Sequence, residues 1–473
     1  MRLTRILPAL LGAALLACND LDVGDLNDPG VNAVQASPTR AGVLNLATGL
    51  QTGSRYGVGQ QNGYNALLGI VGREIYNFDN ADPRFVTEML IGPLDGGSPA
   101  FGGNLYGDRY SNLRTANVLL HAMANLTDDP QVGGMSAAEK EVTTGYVQTM
   151  EAYDYLRVVL TRDDLGAPTE VDIDPTATPA PIRTKQEVYD TIVSLLEQAK
   201  THLQLGAADF PFPMSPGFSD FSTPATFLTF NRALRARVAA YLQDWPGVLA
   251  ALGESFISPA TPSIVASPPF ALGAYHTFST TAGDSTNNLF DPNTRALAAH
   301  PSMLTDAQLQ VDGVTPDKRI VDKTFPLTDP KSVPQGYTSN FGVNVYTSPS
   351  APIPIIRDEE LVLLRAEANI QLNNLADAVT DLNLVRQVAG NLPAYSGPVT
   401  QPALIDELLY NRRYSLFFEG GHRWIDARRY GRLASLPLEP GTHHFSRFPF
   451  PRNECLARNP QPAAGCSPEP GSP

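Results

Sequence analysis

Residues 357–388 read RDEELVLLRAEANIQLNNLADAVTDLNLVRQV, and this stretch predicts two helices joined by a tight turn. Apolar side chains recur every three or four residues from Asp358 to Gln371, which is the period of one buried helix face. Residues 372–374 supply the turn, and residues 375–388 repeat the helical period. The stretch therefore predicts a helical hairpin close to the C-terminal end of a mainly α-helical fold.

A second stretch of the chain repeats part of this spacing. Tetratricopeptide-type hairpins place small residues where their two helices cross closely. In one predicted helix pair these positions are Ala366, Asn369, Ala378 and Leu382. In the other helix pair, Val238, Tyr241, Ala250 and Glu254 have the same spacing along the sequence. The spacing predicts a tetratricopeptide-like helical-hairpin scaffold whose repeats are separated by insertions.

Helical periodicity also predicts the rest of the scaffold. Ser136 and Thr184 are expected N-caps, and Glu187 completes a capping box with Thr184. Further helices are expected over residues 38–56, 111–126, 136–160, 184–205, 227–242, 247–252, 403–418 and 422–430. Together these segments predict an N-terminal helical part over residues 38–252 and a C-terminal helical part over residues 355–473.

Between the two helical parts, residues 253–354 lose the helical period. Pro, Gly, Thr, Ser and aromatic residues dominate there, with short β segments such as 342–346. A loop of this length without any order is uncommon in a compact protein. We therefore expect a large, irregular, loop-rich insertion that carries function.

The N-terminus has the features of an export signal. Arg2 and Arg5 precede an apolar stretch, residues 6–17, which is too short to cross a bilayer and ends at Cys18. The run before Cys18 resembles the lipobox of bacterial lipoproteins, which implies cleavage after residue 17 and acylation of the cysteine. An ordinary secretory signal with a chance cysteine is the alternative. Residues 18–37 are expected to form an acidic tether like that of surface-exposed lipoproteins.

The overall composition limits the classes of partner. The chain has 473 residues, is 42% hydrophobic and carries a formal net charge of −14. So acidic a protein repels phosphate backbones, and nucleic acid is not an expected partner. Cys455 and Cys466 could form a disulfide if the chain is exported, with two free thiols as the alternative.

Catalytic and metal-binding motifs are missing from the sequence. It contains no His-Glu-x-x-His, no Walker loop, no Gly-x-Ser-x-Gly and no dinucleotide fingerprint. His443 and His444 are adjacent, so they lack the spacing that would let both bind one metal. The sequence therefore predicts a protein that is not an enzyme and needs no cofactor or metal.

One dense cluster of charges invites a catalytic interpretation. Glu419 and Asp426 could be read as a general acid and base. However, carboxylates among arginines are held as anions, which favours a structural role. The cluster comprises Arg412, Arg413, Glu419, Arg423, Asp426, Arg428 and Arg429.

Five segments together resemble the SusD/RagB family of outer-membrane lipoproteins. Their order and separation agree with that family along nearly the whole mature chain. They are IRTKQEVY (182–189), RDEELVLLRAEA (357–368), DLNLVR (381–386), RRYSLFFEGGHRWIDARR (412–429) and FPFPRNE (448–454) with Asn459-Pro460. Asn411 and Ser415 depart from the pattern because acidic residues are usual there, and Gly421 is an extra residue.

The resemblance implies a SusD-like fold and a nutrient-binding function. The protein would sit lipid-anchored on the outer membrane, capture an oligosaccharide or a peptide, and deliver it to a SusC-like TonB-dependent transporter. Ligand sites of the family draw on loops, and aromatic faces can stack on sugar rings beside hydrogen-bonding amides. The candidates are Arg73, Tyr76, Asn77, Asn104, Tyr106, Tyr275, Tyr337 and Phe341. A surface glycoside hydrolase and a helical scaffold without a ligand are the alternatives.

Overall fold

The computed structural model describes residues 37–97, 101–174, 176–293, 295–458, 460, 462 and 464–473. Cys18, the expected signal peptide and nearly all of the expected acidic tether lie outside these residues. Within the described ranges, no helix has both the length and the apolarity needed to cross a membrane.

Helices dominate the described chain. The N-terminal part begins with six of them: α1 Arg40–Arg55, α2 Tyr64–Val71, α3 Arg84–Thr87, α4 Asn104–Ala124, α5 Ala137–Arg162 and α6 Lys185–Leu205. The hairpin α7 Pro224–Tyr241 and α8 Trp245–Gly253 follows, then the short helices α9 Ser302–Thr305 and α10 Lys318–Lys323. The chain closes with α11 Asp358–Gln371, α12 Leu375–Val388, α13 Gln401–Ser415, α14 His422–Arg429 and α15 Arg452–Leu456. The prediction of a mainly helical fold is confirmed.

The described ranges also contain six short strands, which lie mostly in the insertion. They are β1 Ile75–Asn77, β2 Gly273–His276, β3 Leu297–Ala299, β4 Thr324–Ser332, β5 Thr338–Val343 and β6 Ile353–Arg357. One sheet has the antiparallel order β1-β3-β5-β4, and β2 pairs with β6 in a second sheet. Because β1 precedes the insertion in sequence, the first sheet joins the insertion to the N-terminal helices. The expected β segment at 342–346 is in fact β5, which ends at Val343.

Local capping fixes the starts of two long helices. At α6, Thr184 accepts from the Glu187 backbone N–H while the Glu187 side chain accepts from the Thr184 backbone, as the sequence predicted. At α5, Ser136 is the N-cap, and Glu139 completes its capping box. Each box satisfies backbone donors that a helix start leaves open.

The helical hairpin of α11 and α12 forms with the predicted bounds. Ala366, Ala378 and Leu382 are fully buried, so small residues do lie between α11 and α12. The matching offset in the other hairpin fails, because Ala250 is exposed and its neighbour Ala251 is buried instead. The register of α8 is therefore one residue away from the predicted one, although α7 and α8 still pack as a hairpin.

Candidate functional site

The charge cluster of the C-terminal part lies inside the fold. Arg412 donates to Asp426 at 2.6 Å, and Arg429 bonds both Asp426 and Glu367. Arg357 and Lys323 both donate to Glu419. Burial alone would raise the pKa of Glu419, but these two cations outweigh it and hold that pKa below its usual range.

The remaining arginines of this cluster hold backbone and surface groups. Arg428 donates to the carbonyls of Ser446 and Leu160, and Arg423 donates to the carbonyl of Arg73. Arg413 pairs with Asp306 at 2.9 Å. This arrangement ties α13 and α14 to distant segments, which is a structural task.

Two family departures are compensated within this network. Asn411 and Ser415 both accept from the Arg319 guanidinium, at 2.9 and 3.0 Å. Asp317 supplies that arginine with its carboxylate instead. Gly421 is the N-cap residue directly before α14 and has a positive φ of 73°, and a Cβ there would meet the side chain of Leu68 at 2.4 Å. Only glycine is compatible with that conformation and that close approach.

Several sequence-predicted ligand residues are buried. Tyr76 donates to Glu439 at 2.6 Å, and Arg73 donates to the carbonyls of Pro437 and His443. Tyr337 donates to the Pro440 carbonyl at 2.9 Å. The segment around residues 437–443 therefore covers this region. The expectation of exposed ligand-binding side chains does not hold for Arg73, Tyr76, Asn77, Tyr106 and Tyr337.

The other candidates reach the surface at different places. Asn104 is exposed and lines two cavities, one of which also contains Tyr106 in its wall. Tyr275 is half-buried in the wall of a third cavity. Phe341 is half-buried in β5, opposite Pro326. The structure thus does not bring the eight candidates into one site.

A cavity at the C-terminal end of α1, lined in part by Tyr56, is called the Tyr56 cleft. Its volume is about 360 Å³, within the range of roughly 300–1,000 Å³ typical of ligand pockets. The loop after α1, the start of α4 and the loop at 278–285 form its walls. The residues that line the cleft include Tyr56, Asn62, Asn104, Asp108, Phe278 and Ser285.

Two buried arginines form the floor of the Tyr56 cleft. Arg109 donates to the carbonyls of Ser54 and Tyr56, at 2.8 and 2.7 Å, and Arg157 also donates to the Ser54 carbonyl. These carbonyls belong to the last turn of α1 and the residue after it, which lack helical partners and carry partial negative charge. Asp154 pairs with both guanidiniums. The network fixes the helix end from which Tyr56 projects.

Glycines shape the loop that follows Tyr56. Gly57 has a φ of 73°, and a Cβ on Gly63 would lie 1.6 Å from the Gly57 carbonyl oxygen. This carbonyl accepts from the Tyr64 backbone N–H, which closes the loop onto the start of α2. At Gly59 a Cβ would meet the Phe278 ring at 2.7 Å. The loop can therefore pack against Phe278 only with glycine at these positions.

An exposed aromatic ring and free polar groups line the rim. Tyr56 is 65% exposed. The side chains of Asn62, Asn104 and Asp108 make no hydrogen bond within the described ranges, so their acceptors and donors are free for a ligand. Burial raises the pKa of Asp108, although Arg109 and Arg157 oppose this effect. The rim thus combines a flat apolar face with hydrogen-bonding amides and one carboxylate.

Sequence reasoning missed Tyr56, Asn62, Asp108 and Phe278. A usable signal was present in the run Tyr-Gly-Val-Gly at residues 56–59, where an aromatic residue directly follows a helix and enters a glycine-rich loop. The contributions of Asp108 and Phe278 had no comparable local signal, because they reach the cleft from other parts of the chain.

A second cavity adjoins the cleft and is called the Tyr275 cavity. Its volume is about 270 Å³, and its walls include Thr48, Met214, Phe218, Tyr275 and His276. His276 is buried against the Tyr153 hydroxyl at 3.2 Å. Burial and nearby arginines hold the pKa of His276 well below its usual range, so the ring is neutral at physiological pH.

The C-terminal tail is cross-linked. Cys455 and Cys466 form a disulfide with Cα atoms 5.8 Å apart. Nearby, the Phe450 backbone N–H donates to the Gly465 carbonyl at 2.7 Å. Leu94 and Glu469 exchange backbone hydrogen bonds, which ties the tail to the N-terminal part. Among the described residues, no group of three or more His, Cys, Asp or Glu could hold a metal ion.

Known proteins share both sequence features and fold with this chain. Residues 331–459 match the SusD family. A SusD superfamily protein of Bacteroides vulgatus ATCC 8482 aligns over 91% of this chain and 99% of its own, with 14% identity and a TM-score of 0.66. A SusD-like carbohydrate binding protein of Bacteroides fragilis NCTC 9343 aligns over 92% and 94%, with 14% identity and a TM-score of 0.66.

A third solved structure is described as a laminarin binding SusD-like protein. It aligns over 88% of this chain and 97% of its own, with 18% identity and a TM-score of 0.61. Among curated proteins, none is detectably similar in sequence. The sequence match spans the end of the insertion and most of the C-terminal part, and the structural alignments extend the same fold over the N-terminal part and the rest of the insertion. Residues 331–459 of this chain therefore match the SusD family, and the chain has the fold of SusD-like proteins.

Proposed function

We propose that this protein captures an oligosaccharide in the Tyr56 cleft and passes it to a TonB-dependent outer-membrane transporter. The observation that carries the proposal is the pairing of an exposed Tyr56 ring with free polar side chains around one cleft. A tyrosine face can stack on the apolar face of a pyranose ring, while amides and a carboxylate bond its hydroxyls. Two structurally similar proteins are described as binding carbohydrate or laminarin.

The cleft favours binding over hydrolysis. Glycoside hydrolysis needs two carboxyl groups flanking the scissile bond, about 5–10 Å apart. Among the described residues that line the Tyr56 cleft, Asp108 is the single carboxylate. Glu419 and Asp426, the pair suggested by the sequence, are buried in ion pairs elsewhere. A binding function therefore suits the cleft better than a surface glycoside hydrolase.

A ligand-binding function also suits the cleft better than a pure scaffold role. A helical scaffold that only holds other envelope proteins needs no preformed hollow with unpaired polar groups. Here the buried Arg109, Arg157 and Asp154 network positions the helix end beneath Tyr56. A binding site is expected to hold its contacting side chains on a rigid support, as this network does beneath the exposed Tyr56 ring.

Anchoring and delivery complete the proposal. Cys18 would be acylated and would hold the body at the outer membrane, with several acyl chains giving firm attachment. The helical scaffold would face a SusC-like transporter, and the insertion would contribute to the ligand side. Mass spectrometry of the N-terminal peptide from the membrane fraction tests the acylation, and Cys18→Ala should release the protein into the soluble fraction. Co-purification with a large β-barrel protein tests the partner.

A binding screen tests the ligand class. The purified protein would be titrated with laminarin, starch, xylan and a tryptic peptide digest. We expect binding to at least one polysaccharide, weakened about ten-fold or more in Tyr56→Ala, because the stacking face is lost. Leu205→Ala is the matched control, since Leu205 is 69% exposed but does not line the cleft.

Three results would count against the proposal. If the protein bound only the peptide digest, its ligand would be a peptide and not an oligosaccharide. Release of reducing ends from a polysaccharide would favour hydrolysis. Equal affinities of Tyr56→Ala and the unaltered protein would show that the ligand binds outside the Tyr56 cleft.

A further inference from the structure

The Tyr56 cleft and the Tyr275 cavity are neighbours that share part of their lining. Arg55 and Thr52 line both hollows. On the facing loop, consecutive residues divide between them: Thr277 lines the Tyr275 cavity, and Phe278 lines the cleft. Asp284 and Ser285 divide in the same way. The boundary between the hollows therefore runs from Arg55 to this loop.

Two interactions of Arg55 make this boundary. Its guanidinium donates to the Thr277 carbonyl at 2.5 Å and forms an ion pair with Asp284. The Arg55 and Asp284 side chains are 16% and 31% exposed. Both side chains therefore remain partly accessible to water, so a ligand that lies in the two hollows can contact the intact ion pair.

We propose that the two hollows form one groove, crossed by the Arg55–Asp284 ion pair, which binds a neutral, linear oligosaccharide several sugar units long. This inference rests on the proposed glycan-binding function and specifies its substrate class. At about 270 Å³ the Tyr275 cavity is smaller than typical independent ligand sites, whose volumes begin near roughly 300 Å³. If the Tyr275 cavity continues the Tyr56 cleft, it enlarges a site whose volume of about 360 Å³ is already typical of ligand pockets.

The chemistry of the Tyr275 cavity fits an uncharged sugar. Met214, Phe218 and Tyr275 give it apolar surface, and Thr48 and Thr277 add small polar groups. Among the described residues that line it, the charged ones are Arg55 and Asp284, which neutralise each other. His276 is neutral as well. A sulfated or uronic-acid chain would find no unpaired cation in this cavity.

The dependence of affinity on chain length tests the groove. The full chain would be titrated with laminari-oligosaccharides and malto-oligosaccharides from the disaccharide to the hexasaccharide. In at least one series we expect the hexasaccharide to bind about ten-fold more tightly than the trisaccharide, because only the longer chain reaches past Arg55.

A blocking variant locates the second half of the groove. Thr48→Arg places a long side chain in the Tyr275 cavity from an exposed position of α1, where the fold tolerates it. It should lower hexasaccharide affinity about ten-fold and leave trisaccharide affinity unchanged. Gly49→Arg adds the same charge at the next position of α1, which is exposed and does not line the cavity, and should change neither affinity.

The outcomes separate this inference from the proposed function. If affinity is the same for all chain lengths and Thr48→Arg has no effect, the proposal of a continuous groove is wrong. The proposed glycan-binding function is then unaffected. If neither series binds at any length, both the groove and the proposed glycan-binding function are wrong for these glycans. Equal losses for short and long chains in Thr48→Arg would also overturn the groove, because the blocked cavity would then be part of the primary site.

Discussion

Arg109 and Asp154 form a buried ion pair, 2.9 Å between nitrogen and oxygen, directly behind the last turn of α1. Asp154 also pairs with Arg157 and accepts from Asn112 at 2.6 Å. A single carboxylate from α5 thus holds two guanidiniums that bond the C-terminal carbonyls of α1. The position of Tyr56 depends on this carboxylate, although the two side chains lie 98 residues apart in sequence.

Replacing Asp154 with alanine should destabilise the protein strongly. Arg109 and Arg157 would remain buried without a counter-charge, and breaking a buried pair from one side costs about 3–5 kcal/mol. The free energy of unfolding measured in urea provides the test. Asp164→Ala is the control, because Asp164 is 63% exposed where it pairs with Arg447 and should contribute at most about 1 kcal/mol. Equal effects of the two variants would contradict the role given to Asp154.

Glycan affinity should depend on pH through Asp108. Burial raises the pKa of this carboxyl above the usual aspartate value, so it takes up a proton at a higher pH than a free aspartate. The ionised form accepts hydrogen bonds from sugar hydroxyls on both oxygens, and protonation removes part of that capacity. Affinity should therefore fall as pH decreases through this raised pKa. Calorimetric titrations from neutral to mildly acidic pH measure the fall.

The Asp108→Asn variant is the matched control for that experiment. Its amide does not titrate, so its affinity should stay nearly constant over the same pH range and lie below that of the unaltered protein at neutral pH. If both proteins lost affinity in parallel, a different group would be responsible for the pH dependence.

Glu151 should make the protein less stable as pH rises. It is buried in α5, and burial, together with the charge of Asp154, raises its pKa to about 8. Because the native-state pKa exceeds the unfolded value of about 4.3, the native state retains a proton that the unfolded chain has released. The protonated carboxyl carries no penalty below the unfolded pKa, and stability is lost progressively as pH rises towards the folded pKa.

The variant Glu151→Gln removes this titration. Compared with the unaltered protein, it should be roughly 2–4 kcal/mol more stable near pH 8 and little different near pH 4. Urea unfolding at both pH values measures the difference. Glu170→Gln, at a side chain 63% exposed, should change stability little at either pH. A stability gain that did not vary with pH would assign the effect of Glu151→Gln to packing instead.

Reducing the Cys455–Cys466 disulfide should loosen the C-terminal tail. The bridge closes a short loop with a sequence separation of 11, and loops of this size contribute about 2–3 kcal/mol. We expect a lower thermal midpoint under reducing conditions. The double variant Cys455→Ser and Cys466→Ser should unfold at this lower temperature with or without reductant. A reductant effect of equal size in the double variant would show that the disulfide is not its cause.

Local sequence determined the helices of this protein. Thr184 and Glu187 cap α6 as predicted, and the bounds of α11 and α12 follow directly from apolar period and turn residues. These features depend on neighbours within a few positions, which the sequence displays. The five family segments added the fold class. The one-residue error at Ala250 arose because the register of a short helix depends on its packing partner.

Only the tertiary structure decided which side chains line the Tyr56 cleft. Tyr76 resembled an exposed loop aromatic, yet Glu439, 363 positions later in the chain, bonds its hydroxyl and covers it. Conversely, Tyr56 stands exposed because buried charges from α4 and α5 hold the helix end beneath it. Exposure results from contacts between segments distant in sequence, and hydrophobic and hydrogen-bonding patterns within one segment do not encode it.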